Sequence, residues 1–251
     1  MNPWLFDLGN TRLKWTQLQP DGRLAVVHAL AHDSDGFADA LHAALPAHAG
    51  SACLASVASP ERTAQVIEIL TGHFRGISLA RSVAQFAGVR IAYADPSRLG
   101  VDRFLAMLAA RAQGEGPWLI AGVGTALTID LLDSDGLHRG GRIGPSPQTM
   151  RAALHRAAPH LPEEGGDYRE FAIDTGDALA SGCEGAALGL IERSLAQAEL
   201  ILGKRPSLLL HGGGAAPLAM HLPQAIQMPA PVLEGLALWS RAGTAHRIPI
   251  C

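Results

Sequence analysis

Four short stretches of this chain set acids, glycines and hydroxyls at spacings that could do phosphate chemistry. In Asp7-Leu-Gly-Asn-Thr11 an acid closes an apolar run and a Gly-Asn turn follows. Such a turn exposes backbone N–H groups to an anion, and its carboxylate could hold a hydrated Mg²⁺ beside that anion. The same residues would equally make an ordinary hairpin turn with a solvated acid. Gly122-Val-Gly-Thr125 fails as a dinucleotide loop, because Leu127 takes the third glycine position and a strand-like segment follows where a helix is needed. It reads either as a phosphate-binding hairpin, with the Thr125 hydroxyl donating and Asp130 near a metal, or as a simple turn.

Gly100-Val-Asp-Arg103 is the most distinctive stretch. Near a helix N-terminus Asp102 would stay ionised and could accept a proton from an alcohol, while Arg103 could clamp a carboxylate with two parallel bonds. The alternative is a dipole-stabilising Asp beside a solvated Arg. His211-Gly-Gly-Gly214 cannot serve as a lipase oxyanion loop, since no Gly-x-Ser-x-Gly nucleophile elbow occurs. It would suit a backbone approach to a flat ligand such as adenine, or a tight strand-to-helix turn.

Other chemistries are excluded. Of 20 basic residues only Lys14 and Lys204 are lysine, and neither sits in the Gly-Lys-Ser/Thr context of a P-loop. A formal charge of −3 offers no field for a polyanion, so no nucleic-acid partner is expected. The eleven histidines include no His-Glu-x-x-His, and no Cys-x-x-Cys occurs, which argues against zinc. Cys53, Cys183 and Cys251 are scattered, as in a reducing cytoplasm. The start lacks a signal-peptide pattern, and the longest apolar region, 118–132, is interrupted by glycines, so no membrane partner is expected.

Alternating elements must carry these stretches. The pattern predicts strands over 4–8, 11–18, 24–30 and 52–57, and helices over 37–45 (capped by Asp33 or Ser34), 60–70 and 101–112. Gln113-Gly-Glu-Gly-Pro117 punctuates the chain, predicting domains 1–114 and 115–251. Beyond it, Trp118-Leu-Ile-Ala-Gly-Val-Gly-Thr125 echoes Trp4-Leu-Phe-Asp-Leu-Gly-Asn-Thr11, which suggests two related halves. The second half continues with a strand over 126–132, a Gly-rich turn at Gly140, Gly141 and Gly144, and a helix over 148–158. A polar loop at 162–169, a long helix over 175–202 with a small-residue surface, a strand over 207–210 and a last helix over 232–241 complete it. Alternation of this kind points to α/β layers.

Taken in order, Asp7-Leu-Gly-Asn-Thr11, Tyr93 with Leu99-Gly-Val-Asp-Arg103, and Gly124-Thr-Ala-Leu-Thr-Ile-Asp130 resemble the type III pantothenate kinases. Gly140-Gly-Arg-Ile143, Asp174-Thr175 with Ser181-Gly182, and Gly212-Gly213 extend the resemblance over most of the chain. These are bacterial enzymes of the acetate-kinase, sugar-kinase and actin superfamily. The resemblance implies two ribonuclease-H-like (actin-like ATPase) α/β domains with the active site in the cleft between them. It implies ATP held by Asp7, Leu8, Gly9, Asn10, Thr11, Arg12, Leu13, Lys14 and Thr125, with Mg²⁺ organised by Asp7 and Asp130. Pantothenate would meet Tyr93, Gly100, Val101, Asp102, Arg103 and Thr175, the last from a second subunit of a homodimer, and Asp102 would be the general base. A cytoplasmic enzyme at the start of coenzyme A synthesis is expected.

Two departures bear on this. The family's acid two residues before Gly-Thr, which helps bind a monovalent cation, is Gly122 here, so K⁺ or NH₄⁺ dependence is not expected. The usual Pro-Gly is Pro145-Ser146. Two alternatives stay open: a non-catalytic accessory factor that keeps the fold and affects gene expression, and a kinase for another hydroxy acid.

Overall fold

The computed structural model describes residues 2–241 and the short strand at 247–248. Cys251 lies outside the described residues. Strand β1 (Trp4–Leu8) turns back through Gly9 into β2 (Arg12–Gln17), with Leu8 opposite Leu13 and Asp7 opposite Lys14. Then come β3 (His28–Ala31), α1 (Phe37–Ala44), β4 (Ala49–Ser56), α2 (Pro60–Thr71) and β5 (Phe74–Leu79). A small hairpin, β6 (Gln85–Phe86) and β7 (Val89–Arg90), precedes α3 (Val101–Gln113). Next are β8 (Trp118–Val123), β9 (Ala126–Leu132), β10 (His138–Pro145), α4 (Pro147–Ala157) and α5 (Thr175–Leu202). The described elements end with β11 (Ser207–His211), α6 (Ala215–Ala219), β12 (Ile226–Gln227), α7 (Pro231–Arg241) and β13 (Arg247–Ile248).

Two compact units result: one takes in the chain up to Ala112 and resumes at Ala230, and the other is Gln113–Pro229. The sheet of the first runs β13-β5-β4-β1-β2-β3, and that of the second runs β10-β9-β8-β11-β12. Both are built the same way. An antiparallel meander (β1-β2-β3, β8-β9-β10) is extended by two parallel strands (β4 and β5, β11 and β12) on the side of its first strand. The echo between the segments at 4–11 and 118–125 is therefore the opening hairpin of a duplicated topology.

Period-two alternation divides the faces of each sheet. In the first unit Phe6, Leu8, Leu13 and Trp15 join Phe37 and Leu41 of α1 and Val66, Ile69 and Leu70 of α2 in one core. That leaves Leu5 and Asp7 on the opposite face of β1, and α7 packs against β1 and β4. In the second unit Leu119, Ala121, Val123, Leu127 and Ile129 pack with Ala187, Leu188, Ile191 and Leu195 of α5.

Several expectations change. The segment at 24–27 leaves the sheet except for one bridge between Leu18 and Leu24, and Val26 is exposed. Helix α1 starts at Gly36 (φ 82°) without a side-chain cap, because the Ser34 hydroxyl donates back to the Ala31 carbonyl (3.0 Å). The expected Gly-rich turn is strand β10, bulged between His138 and Gly140; Gly140 takes φ 108°, open to glycine and costly elsewhere. The first unit's long segment ends at Ala112 and the second unit begins at Gln113, while α7, expected in the second domain, is grouped with the first unit. It packs so closely on α3 that a Cβ at Gly235 would run into the Leu105 carbonyl.

Candidate active site

The opening hairpin sets the first group of residues. The Gly9 N–H donates to the Arg12 carbonyl (3.0 Å), closing a turn whose Asn10, Thr11 and Arg12 are exposed. Leu8 and Leu13 have fully buried side chains in the core, so only their backbone could reach a ligand. Asp7 precedes buried Leu8 at the end of β1 and keeps an accessible edge. Burial pushes its carboxyl up to about 7, Lys14 across the ladder opposes that rise, and the charge of Asp102 adds to it. A carboxyl so desolvated, beside exposed backbone N–H groups, suits a bound cation that would restore its charge.

The start of α3 sets the second group. The Ser82 hydroxyl donates to the carbonyl of buried Leu99 (2.7 Å), anchoring the chain just before the helix. Asp102 turns its carboxylate back, with Oδ1 accepting from the Arg103 backbone N–H (2.8 Å). Gly100 makes room for this, since a Cβ there would lie 2.6 Å from Asp102 Oδ1. Arg103 is buried, and its Nη1 donates to the Tyr93 hydroxyl at 3.4 Å. The first unit therefore brings together Asp7 and Asp102, and Tyr93 with Arg103. Val101 is buried in the helix's first turn.

The second unit holds the rest. Thr125 is exposed at the turn between β8 and β9, and its carbonyl accepts from the Thr149 hydroxyl (2.6 Å) of α4. Ser146 is the N-cap of α4, accepting from the Thr149 N–H (3.3 Å) ahead of Pro147. Asp130 is nearly inaccessible on β9, and its Oδ1 pairs with Nε2 of fully buried His138 at 2.9 Å. Thr175 is exposed at the first turn of α5, which Asp174 caps by accepting from the Asp177 N–H (3.0 Å).

The glycines of this unit answer mainly to their neighbours. A Cβ at Gly122 would lie 2.8 Å from His211 Nε2 and 2.9 Å from Thr128 Oγ1, so an acid does not fit there while His211 keeps its place. Gly212, at φ 97°, lies where a Cβ would strike the Val123 carbonyl, and a Cβ at Gly214 would lie 2.9 Å from Val123 Cγ1. Only Gly213 of this triplet faces open space. The triplet is first a tight strand-to-helix turn.

Two histidines escaped the sequence reading. His138 holds Asp130 across a strand pair, and His32 reaches the Gly9 carbonyl through Nε2 (3.0 Å). Neither stands in a motif, and each pairing depends on strand register that no local signal gives.

Two units of one strand order, each opening on an antiparallel hairpin, give the two-domain fold of the actin-like ATPases and sugar kinases. Solved structures share this fold. A Campylobacter jejuni protein described as a Baf family transcriptional activator superposes with TM-score 0.61 at 18% identity, covering 95% of this chain and 98% of that one. A Sinorhizobium meliloti protein described as a 2-dehydro-3-deoxygalactonokinase gives TM-score 0.60 at 16% identity, covering 95% and 98%. The sequence model of the type III pantothenate kinase family matches residues 4–197. A type III pantothenate kinase of Stenotrophomonas maltophilia is 55% identical over 240 residues, 96% of this chain and 98% of its own. The chain belongs to the type III pantothenate kinase family.

Proposed function

We propose that this chain transfers the γ-phosphoryl group of ATP to the primary hydroxyl of pantothenate, giving 4′-phosphopantothenate and ADP at the start of coenzyme A synthesis. The observation that carries this reading is the start of α3, where an oriented Asp102 adjoins an Arg103 already joined to Tyr93. Phosphoryl transfer asks mainly for positioning and charge neutralisation, which such a frame supplies.

In this reading the acceptor carboxylate is met by Arg103, with Tyr93, Gly100, Val101 and Thr175 shaping its surroundings. The pantothenate hydroxyl oxygen forms the new bond to the γ-phosphorus as the bond to the β,γ-bridging oxygen breaks. Its proton passes to Asp102, and the electron pair leaves with ADP. Nucleotide phosphates lie against the turn from Asp7 to Lys14 and against Thr125, using backbone N–H groups, the Thr125 hydroxyl and Lys14. Mg²⁺ would be held by the Asp7 carboxylate of the first unit; the resemblance adds Asp130 of the second, which here is nearly inaccessible and paired with His138. Bound Mg²⁺ would neutralise phosphate charge. With Gly122 in place of the acid that the resemblance leads one to expect, and His211 beside it, activity in this reading is independent of K⁺ and NH₄⁺.

The reading includes a cytoplasmic homodimer. An apolar groove lined by Met150 and Leu154 of α4 and Ala178, Gly182 and Cys183 of α5 shares Ala178 and Gly182 with a neighbouring groove that exposed Phe171 lines, a face suited to a second copy. Among the described residues no helix is long and apolar enough to cross a membrane.

The test is ATP consumption with and without pantothenate, for wild type and Asp102→Asn. Loss of a general base lowers the rate by roughly 10²–10⁴. No pantothenate dependence in wild type would defeat the proposal, and full activity in Asp102→Asn would defeat the assigned base.

A further inference from the structure

His32, one residue beyond β3, grips the opening turn from behind with both its backbone and its ring. Its N–H donates to the Thr11 carbonyl (3.3 Å), and its Nε2 lies 3.0 Å from the Gly9 carbonyl. A carbonyl oxygen only accepts, so the proton of the neutral ring sits on Nε2. The residue is 7% exposed, its ring stands edge-on to Phe37 at 6.2 Å, and its Nδ1 is buried without a hydrogen-bond partner. A buried ring nitrogen left unsatisfied is costly, and a leucine would fill this space without that cost. What leucine cannot supply is the bond to Gly9.

That bond has a geometric consequence. In a trans peptide the carbonyl and the following N–H point in opposite directions. Holding the Gly9 and Thr11 carbonyls toward His32 therefore turns the Asn10 and Arg12 N–H groups to the other side of the turn. We propose that His32 is a positioning residue for nucleotide binding: it presets the Gly9–Asn10 and Thr11–Arg12 peptide planes so that their N–H groups meet the phosphates of ATP. This rests on the assignment of the turn to ATP made above. It adds a residue that touches no substrate and acts only through the turn.

The test compares wild type, His32→Leu and His32→Gln. Glutamine can place a side-chain N–H near the position of Nε2, whereas leucine keeps bulk alone. Direct ATP titration by calorimetry is read beside the KM values and kcat. In His32→Leu, Kd and KM for ATP rise about tenfold, the equivalent of one hydrogen bond of about 1.4 kcal/mol. The KM for pantothenate and kcat stay near wild type, and His32→Gln recovers most of the ATP affinity. Unchanged ATP affinity in His32→Leu, equal loss in both variants, or a loss shared with pantothenate would overturn the proposal. A measurement on wild type stands apart from variant folding: ¹⁵N-histidine spectra, assigned through contacts to the Phe37 ring, show the Nε2–H tautomer, and an Nδ1–H tautomer would contradict it. Wild type that binds ATP without phosphorylating pantothenate defeats the proposed reaction while the ATP titrations still decide the role of His32. Wild type that binds no ATP defeats both.

Discussion

Asp102, at the start of α3, lies close enough to Asp7 on β1 for its negative charge to oppose ionisation of the Asp7 carboxyl. Burial is the larger cause, and Lys14 across the hairpin acts the other way. The base proposed for the acceptor and the carboxylate proposed for the metal are thus electrostatically coupled before any ligand arrives. Replacing Asp102 by Asn removes the repulsion, so Asp7 then titrates below about 7 while burial keeps it above its ordinary 3.8. Carbonyl-labelled aspartate spectra over pH would show this, and an unmoved Asp7 titration would contradict the coupling.

The raised Asp7 carboxyl also makes stability depend on pH. A carboxyl that titrates near 7 folded and near 3.8 unfolded binds its proton more tightly in the folded state. Its contribution is fully present below about 3.8 and is lost as pH rises toward 7. Wild type should therefore lose stability relative to Asp7→Asn by at most about 1.4 kcal/mol per pH unit between 4 and 7, then run parallel to it. Denaturant unfolding at a series of pH values checks this. Parallel curves throughout would refute it.

Gly100→Ala should separate activity from folding. The added methyl would meet Asp102 Oδ1 at 2.6 Å, and a carboxylate end can rotate away cheaply. Stability should change little, while displacing the base should lower kcat roughly 10–100-fold, since small misplacements at a reacting centre are costly. A variant with wild-type kcat would show that the folded-back carboxylate is not the active arrangement.

Gly122 in place of an acid, with His211 beside it, predicts indifference to monovalent cations. Initial rates in K⁺, NH₄⁺ and tetramethylammonium at equal ionic strength should coincide. Clear stimulation by K⁺ would mean that a cation site exists without the acid.

Much of this architecture was legible because its signals are local. The β1–β2 and β8–β9 hairpins follow from apolar runs on either side of Gly9 and Gly124, and the long α5 from its start at Asp174-Thr175 and its run of small residues. Strand β10 was not, because Gly140 and Gly141 read as a turn until β9 supplies a ladder for them. The same limit hid the return of α7 to the first unit, where Gly235 matters only against Leu105. In the site, Asp7, Asp102 and Arg103 stand out by residue type and spacing. The partners that orient or tune the rest of the site, Lys14 opposite Asp7, His32 at Gly9 and His138 at Asp130, depend on cross-strand register and tertiary packing.

The central claim is the identity of the acceptor and of the bond formed. Incubating the purified protein with Mg²⁺, ATP and pantothenate and following phosphorus by nuclear magnetic resonance, with product mass, tests it most directly. One phosphomonoester of pantothenate should appear for each ADP, at the primary hydroxyl. ADP formed without that ester, or no reaction in the presence of all three components, would contradict the account.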